Sequence, residues 1–182
     1  MIRLAIIGTA GRKPNQRQIL SWDHMQWMAD TVKCYIEFVL EKPTNEIILV
    51  SGGSAWADHV AVRLYLEGNF GGLELYLPAN FSKIHKKYEP TREGKILNWL
   101  HYTCEIRSGI NGLEELCQVM SDPKVEIIIR KGFSQRNTLV SQNNDHLIAF
   151  TFAKSEPIEG GTYDTWKKTN HINKIHFSLK DA

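Results

Sequence analysis

Two glycine turns are the parts of this sequence best suited to binding an anion. Residues 51–54 read Ser-Gly-Gly-Ser between an apolar run and an amphipathic segment, and residues 160–162 read Gly-Gly-Thr in a similar setting. A turn from a strand into a helix exposes backbone N–H groups at the positive end of the helix, where a phosphate can bind. Since both turns lie in one short chain, we expect a nucleotide or sugar-phosphate ligand.

Two further segments carry groups that could reach the same ligand. After the first apolar run come Gly8, Thr9, Gly11 and Arg12, whose small residues allow close approach and whose guanidinium can contact a phosphate in bidentate fashion. The side chains of residues 136 and 137, an arginine and an asparagine, could contact a phosphate or a base, although a solvated helix start explains them almost equally well.

The acid that follows the first turn allows two interpretations. Asp58 could orient the turn or accept a hydrogen bond from a ligand hydroxyl, or it could simply complement the helix dipole. Trp56, which lies between the turn and Asp58, could stack on a base or form a wall of the pocket, whereas Trp22 is expected in the core.

Several chemistries lack their sequence signals. There is no Walker pattern, no Gly-x-Gly-x-x-Gly after the first strand and no Gly-x-Ser-x-Gly elbow. The seven histidines show no metal-ligand spacing, and no Cys-x-x-Cys occurs. We therefore expect neither a metal nor a cofactor.

A basic segment at residues 83–95, with Tyr88 interleaved, could steer an anionic ligand or a nucleic-acid strand. A solvated insertion is the favoured interpretation, and the net charge of +2 is too small to indicate duplex binding.

The 182 residues are most simply one domain, no apolar run reaches membrane-spanning length, and three scattered cysteines suit a reducing compartment. We expect a soluble, cytoplasmic protein.

Hydrophobic periodicity predicts alternating strands and helices. Apolar strands are expected at 4–7, 46–50, 73–77, 146–152 and 174–179, with helices from residue 22 to before Pro43 and over 57–67, 134–142 and 162–169. Helical stretches are also expected near 95–102 and 113–120, and residues 125–129 fit either a strand or the start of a helix. This order predicts an α/β fold, Rossmann-like and doubly wound, with a mainly parallel sheet flanked by helices on both faces.

Residues 6–12, 50–58, 132–137 and 160–162 together resemble the SLOG superfamily of Rossmann-like domains. That group includes the Lonely Guy phosphoribohydrolases, DNA-processing protein A and small bacterial and phage nucleotide-binding proteins. The resemblance covers most of the chain except roughly 82–129, which is interpreted as an elaboration. It implies a ligand such as a nucleoside phosphate, ADP-ribose or an NAD-derived signal, and it implies a homodimer or larger oligomer.

The resemblance also limits the expected activity. Lonely Guy enzymes carry Pro-Gly-Gly-x-Gly-Thr-x-x-Glu, and Thr165 stands here where that catalytic glutamate is expected. If the protein hydrolyses the N-glycosidic bond of a nucleotide, the carboxylate would be Asp164, Glu159 or Asp58. The leading hypothesis is therefore nucleotide binding for sensing, sequestration or processing, with hydrolysis and single-stranded nucleic-acid binding as alternatives.

The candidate ligand-binding residues are Gly8, Thr9, Gly11, Arg12, Ser51, Gly52, Gly53, Ser54, Asp58, Arg136, Asn137, Gly160, Gly161 and Thr162.

Overall fold

The computed structural model describes all 182 residues and contains a six-stranded sheet in which every pair of neighbouring strands is parallel. The strands, in chain order, are β1 (Ile2–Gly8), β2 (Ile47–Ser51), β3 (Gly72–Leu77), β6 (Val125–Ile129), β7 (His146–Thr151) and β8 (Lys174–Ser178). A short antiparallel hairpin is formed by β4 (Phe81–Ser82) and β5 (Lys87–Tyr88).

Seven α-helices connect and cover the strands: α1 (Pro14–Ile19), α2 (Trp22–Tyr35), α3 (Ala57–Glu67), α4 (Arg92–Ser108), α5 (Gly112–Val119), α6 (Phe133–Gln142) and α7 (Gly160–Lys168). A π-helical turn, Ile36–Leu40, extends α2, and short 3-10 turns precede β2 and follow β8. The expected Rossmann-like, doubly wound α/β fold is confirmed.

The strands lie in the order β6-β3-β2-β1-β7-β8, so the strands before β7 are added on one side of β1 and the later ones on its other side. The chain first builds outward from β1 through β2 and β3 to β6, and then returns to place β7 on the free side of β1. In open parallel sheets, such a reversal leaves a crevice beyond the carboxyl ends of the two strands, because the loops that follow them run apart. This point of the sheet is where a ligand site is expected.

Side chains alternate between two apolar layers. From β1, Leu4 and Ile6 belong to a large cluster of 36 buried residues, while Ala5 and Ile7 belong to a cluster of seven on the opposite face. Helices α2 to α5 supply residues of the large cluster, and Val140 of α6 belongs to the small one. The glycine-turn helix α3 is therefore anchored in the thicker layer.

The structure decides one open alternative and corrects one sequence prediction. Residues 125–129, which fit either a strand or the start of a helix, form β6 and pair with β3 in the main sheet. Trp22 is not a core residue: 43% of it is exposed. Helix α1 was not predicted, although Pro14 at its first turn is a common helix-start signal.

No helix of the structure combines the length and the apolar character needed to cross a membrane.

Candidate functional site

A cleft of about 280 Å³ opens at the carboxyl edge of the sheet, above the β1–β7 reversal. It is bordered by the loop after β1, the turn after β2, the start of α6 and the start of α7. Eleven candidate ligand-binding residues line it: Gly8, Thr9, Arg12, Gly52, Ser54, Asp58, Arg136, Asn137, Gly160, Gly161 and Thr162. Residues from segments far apart in the chain therefore meet in one concave surface.

The loops around the cleft are joined by direct hydrogen bonds. The Thr9 amide donates to the Phe150 carbonyl over 2.8 Å, and the Thr162 hydroxyl donates to the Gly8 carbonyl over 2.9 Å. Gly8 has no room for a side chain, since a Cβ there would lie 2.1 Å from the Phe150 carbonyl oxygen. The start of α7 is thereby held against the ends of β1 and β7.

Hydrogen bonds on the side away from the cleft hold the turn after β2. The Ser51 hydroxyl donates to the Asp58 carbonyl (2.8 Å) and accepts from the Gly53 amide (3.1 Å). The Gly53 carbonyl accepts from the hydroxyl of Tyr88 at 2.7 Å and from Nε2 of His101 at 3.0 Å. Ser51 and Gly53 thus shape the turn without lining the cleft, and the hairpin and α4 support it.

A buried ion pair connects this turn to α6. Arg136 Nη1 lies 3.2 Å from Asp58 Oδ2 and also donates to the Gly52 carbonyl, while Nε donates to Asn137 Oδ1 over 3.0 Å. Burial raises the pKa of the Asp58 carboxyl, an effect that Arg136 and the Ser54 amide oppose. These bonds use Nε and Nη1 of Arg136 and leave Nη2 available to a ligand.

A second guanidinium lies close by. The Arg12 guanidinium carbon lies 4.7 Å from the centre of the Phe133 ring, and that of Arg136 lies 5.7 Å from it. Partial burial and the positive charges of Arg136 and Arg92 lower the pKa of Arg12. An anion bound between Arg12 and Arg136 would relieve this repulsion, so the cleft carries an unsatisfied preference for negative charge.

The first turn of α7 completes the cleft with backbone donors. The amides of Gly160, Gly161 and Thr162 precede the first helical hydrogen bond, which the Tyr163 amide donates to the Glu159 carbonyl. The Glu159 side chain does not cap them and pairs instead with Lys13. Three N–H groups thus remain at the positive end of the helix.

Other candidate residues lie away from the cleft. Asp164 is bonded to Asn137 (3.2 Å) and Lys168 (3.0 Å) and does not line the cleft. Gly11 packs on Trp56, which is fully buried with its indole N–H unpaired, so Trp56 presents no face for stacking on a base.

Several residues that line the cleft are not among the candidate ligand-binding residues, and Lys13, Gln16 and Phe133 are examples. Lys13 and Gln16 border the cleft at the start of α1, and Phe133 borders it at the start of α6. Their signals were weak: Pro14 marks the start of α1, and Gly132 precedes Phe133 as a break before a helix.

The basic segment at residues 83–95 contains the turn and the second strand of the β4–β5 hairpin and the start of α4. Lys86 pairs with Glu114 at 2.8 Å, and Tyr88 is fully buried. The aromatic ring that would stack on a nucleic-acid base is therefore unavailable, and part of the positive charge is neutralised.

Support of the turn by His101 predicts a dependence of stability on pH. Burial, then the neighbouring His59, lowers the pKa of His101 to about 3. Unfolded His101 takes up a proton near pH 6.5, so stability from this group is complete above that pH and is lost as the pH falls toward 3. When the pH is lowered from 7 to 5, the free energy of unfolding of the wild type should fall by about 2 kcal/mol more than that of His101→Gln. Urea unfolding at both pH values measures this; exposed His85→Gln is the control, and equal losses in wild type and His101→Gln would contradict it.

No group of three or more His, Cys, Asp or Glu side chains is arranged to hold a metal ion.

The chain is similar in sequence to a viral protein of nearly the same length. No protein-family profile matches the sequence, and no solved structure matches the chain significantly. The chain is 45% identical over 178 residues to "Uncharacterized protein R261" of Acanthamoeba polyphaga mimivirus, an alignment that covers 98% of this chain and 96% of the viral protein. The chain belongs to the same protein family as this mimivirus protein.

Proposed function

We propose that the protein binds the phosphate group of a nucleotide or nucleotide-sugar ligand in the cleft, as a SLOG-type domain. The observation that carries the proposal is the pair of guanidiniums, Arg12 and Arg136, on the Phe133 ring in the cleft that the α7 N-terminus also borders. Two cations and a helix start with free amides form a site in which an oxyanion gains charge-assisted hydrogen bonds.

Binding is favoured over hydrolysis by the state of the nearby carboxyl groups. At the position where the Lonely Guy enzymes carry glutamate, Thr165 is buried and donates its hydroxyl to the Gly161 carbonyl. Asp58 is committed to Arg136, and Glu159 to Lys13. Both carboxyl groups have basic partners in the cleft, so hydrolysis would require at least one of them to exchange that partner for the substrate.

The direct test measures binding and turnover together. Isothermal titration with AMP, ADP-ribose, NAD and inorganic phosphate is expected to identify at least one phosphate ligand that also raises the melting temperature. Arg12→Ala should raise the Kd of that ligand by about 10- to 100-fold, since it removes charge-assisted hydrogen bonds. Chromatography of the same mixtures for released base tests the hydrolytic alternative.

Arg12 suits this test because its side chain makes no hydrogen bond within the protein and its loss should leave the fold intact. Arg130→Ala is the matched control, because Arg130 follows β6 at the same edge of the sheet but does not line the cleft. If no phosphate ligand binds, or if Arg12→Ala and Arg130→Ala bind it equally well, the proposed site is wrong.

A further inference from the structure

A second cavity adjoins the cleft. It has a volume of about 720 Å³ and lies between α1, the residues after β7 and the side chain of Lys180 near the C-terminus. Gln16 and Glu159 border both the cleft and this second cavity, so the two spaces meet at these side chains. A ligand held by its phosphate in the cleft could therefore extend past Gln16 into the second cavity.

The small size of the cleft favours such an extension for a nucleotide. At about 280 Å³, the cleft lies just below the range of roughly 300–1,000 Å³ typical of ligand pockets. Its lining is mostly glycine, charged and small polar residues, which suit a phosphate and a ribose. The adjoining cavity supplies the remaining room.

The second cavity carries the groups that a heteroaromatic base requires. Ile19 and Ile158 line it and are 54% and 69% exposed, so two large apolar side chains remain uncovered at its border. Covering them with a flat, weakly hydrated ring is favourable, because apolar area is removed from water.

A hydrogen-bond donor stands where the two spaces meet. Gln16 Oε1 accepts from the Thr9 hydroxyl at 3.1 Å, which orients the amide, and its Nε2 donates to no protein group. Asn15 also borders the second cavity and is exposed. A ribose or a base edge placed there would meet amide groups able to donate and accept.

From this placement we propose that the second cavity is a base-binding site: the base of a nucleoside phosphate contacts Ile19 and Ile158, and Gln16 hydrogen-bonds the ligand between phosphate and base. This assignment rests on the proposed phosphate site and narrows the ligand to a nucleoside phosphate rather than a bare sugar phosphate. Ile19 and Ile158 then set affinity for the base, whereas Arg12 and Arg136 set affinity for the phosphate.

The test compares two ligands that share a phosphate and differ by the base. Titration calorimetry with AMP, GMP, CMP and UMP should give at least one Kd about tenfold below that of ribose 5-phosphate. Ile158→Ala and Ile19→Ala should each raise the Kd of that nucleotide by about fivefold. The Kd of ribose 5-phosphate should stay within about twofold of its wild-type value. Ile172→Ala is the matched control, since Ile172 is 94% exposed and lies outside both spaces.

The outcomes separate this inference from the one on which it rests. If ribose 5-phosphate binds as tightly as every nucleotide, or if Ile158→Ala and Ile19→Ala behave like Ile172→Ala, the base site is wrong while the phosphate site stands. If neither ribose 5-phosphate nor any nucleotide binds, the phosphate site is wrong and the base site falls with it.

Discussion

Replacing Arg136 with alanine should lower the free energy of unfolding by about 3–5 kcal/mol, the usual effect of removing one partner of a buried ion pair. The Arg136 side chain is 10% exposed and that of Asp58 is 9% exposed. Without the guanidinium, the Asp58 carboxylate would remain buried next to a Gly52 carbonyl that has lost its donor. The same substitution should abolish phosphate binding, because it removes one of the two cations of the cleft.

Urea unfolding at pH 7 measures this loss, with Arg130→Ala as a surface control expected within about 0.5 kcal/mol of wild type. The double variant Asp58→Ala/Arg136→Ala should lose less than the sum of the two single variants, since no charge is left buried alone. The loss in free energy of unfolding caused by Arg136→Ala should also be smaller at pH 5 than at pH 7. Without Arg136 the pKa of Asp58 rises further, so protonation at lower pH removes the unpaired charge. A deficit below about 1 kcal/mol, or fully additive losses, would contradict the assigned role of the pair.

The second large effect is expected at Gly53. This residue has φ of +73°, and a Cβ would lie 2.4 Å from Leu77 Cδ2 and 2.5 Å from the Tyr88 hydroxyl. Gly53→Ala should therefore combine a backbone penalty of about 1–2 kcal/mol with an overpacking penalty of about 1–3 kcal/mol. Since the turn would have to move away from Tyr88 and His101, phosphate affinity should fall as well.

Gly109 offers a matched control for this substitution. Its φ of +75° is nearly the same, but nothing lies within 4 Å of the position that a Cβ would take. Gly109→Ala should show the backbone penalty alone, so the difference between the two variants isolates the steric cost at the turn. Thermal and urea unfolding of both proteins provide the measurement. Equal losses would mean that the packing behind the turn does not constrain it.

Much of the fold could be predicted because its signals are local. The buried strands around Ile6, Leu49, Leu75 and Ile148 are short apolar runs, and turns follow them directly. Parallel strands place their carboxyl ends at one edge, so the convergence of the glycine turns could be expected as soon as the strand alternation was recognised.

The remaining features depend on contacts between distant segments. Arg136 and Asp58 are 78 residues apart, and no periodicity indicates that they pair. Trp22 and Trp56 also show that sequence alone does not predict burial. Each lies at the start of a helix, but Trp56 is buried beneath Gly11, whereas Trp22 is partly exposed with its ring against Arg63. Which apolar residue a neighbour covers is decided by tertiary packing.

The central position of β1 has a consequence for how the protein forms. Leu4 pairs with His146 and Gly8 with Phe150, so one edge of β1, whose central residues are buried, lacks its partner until most of the chain has been synthesised. A nascent chain that ends before β7 would present β1 as an open, apolar edge, the kind of surface that recruits strands from other chains. Substitutions in β7 should therefore reduce the yield of folded protein during synthesis more than the stability of molecules that have already folded would suggest.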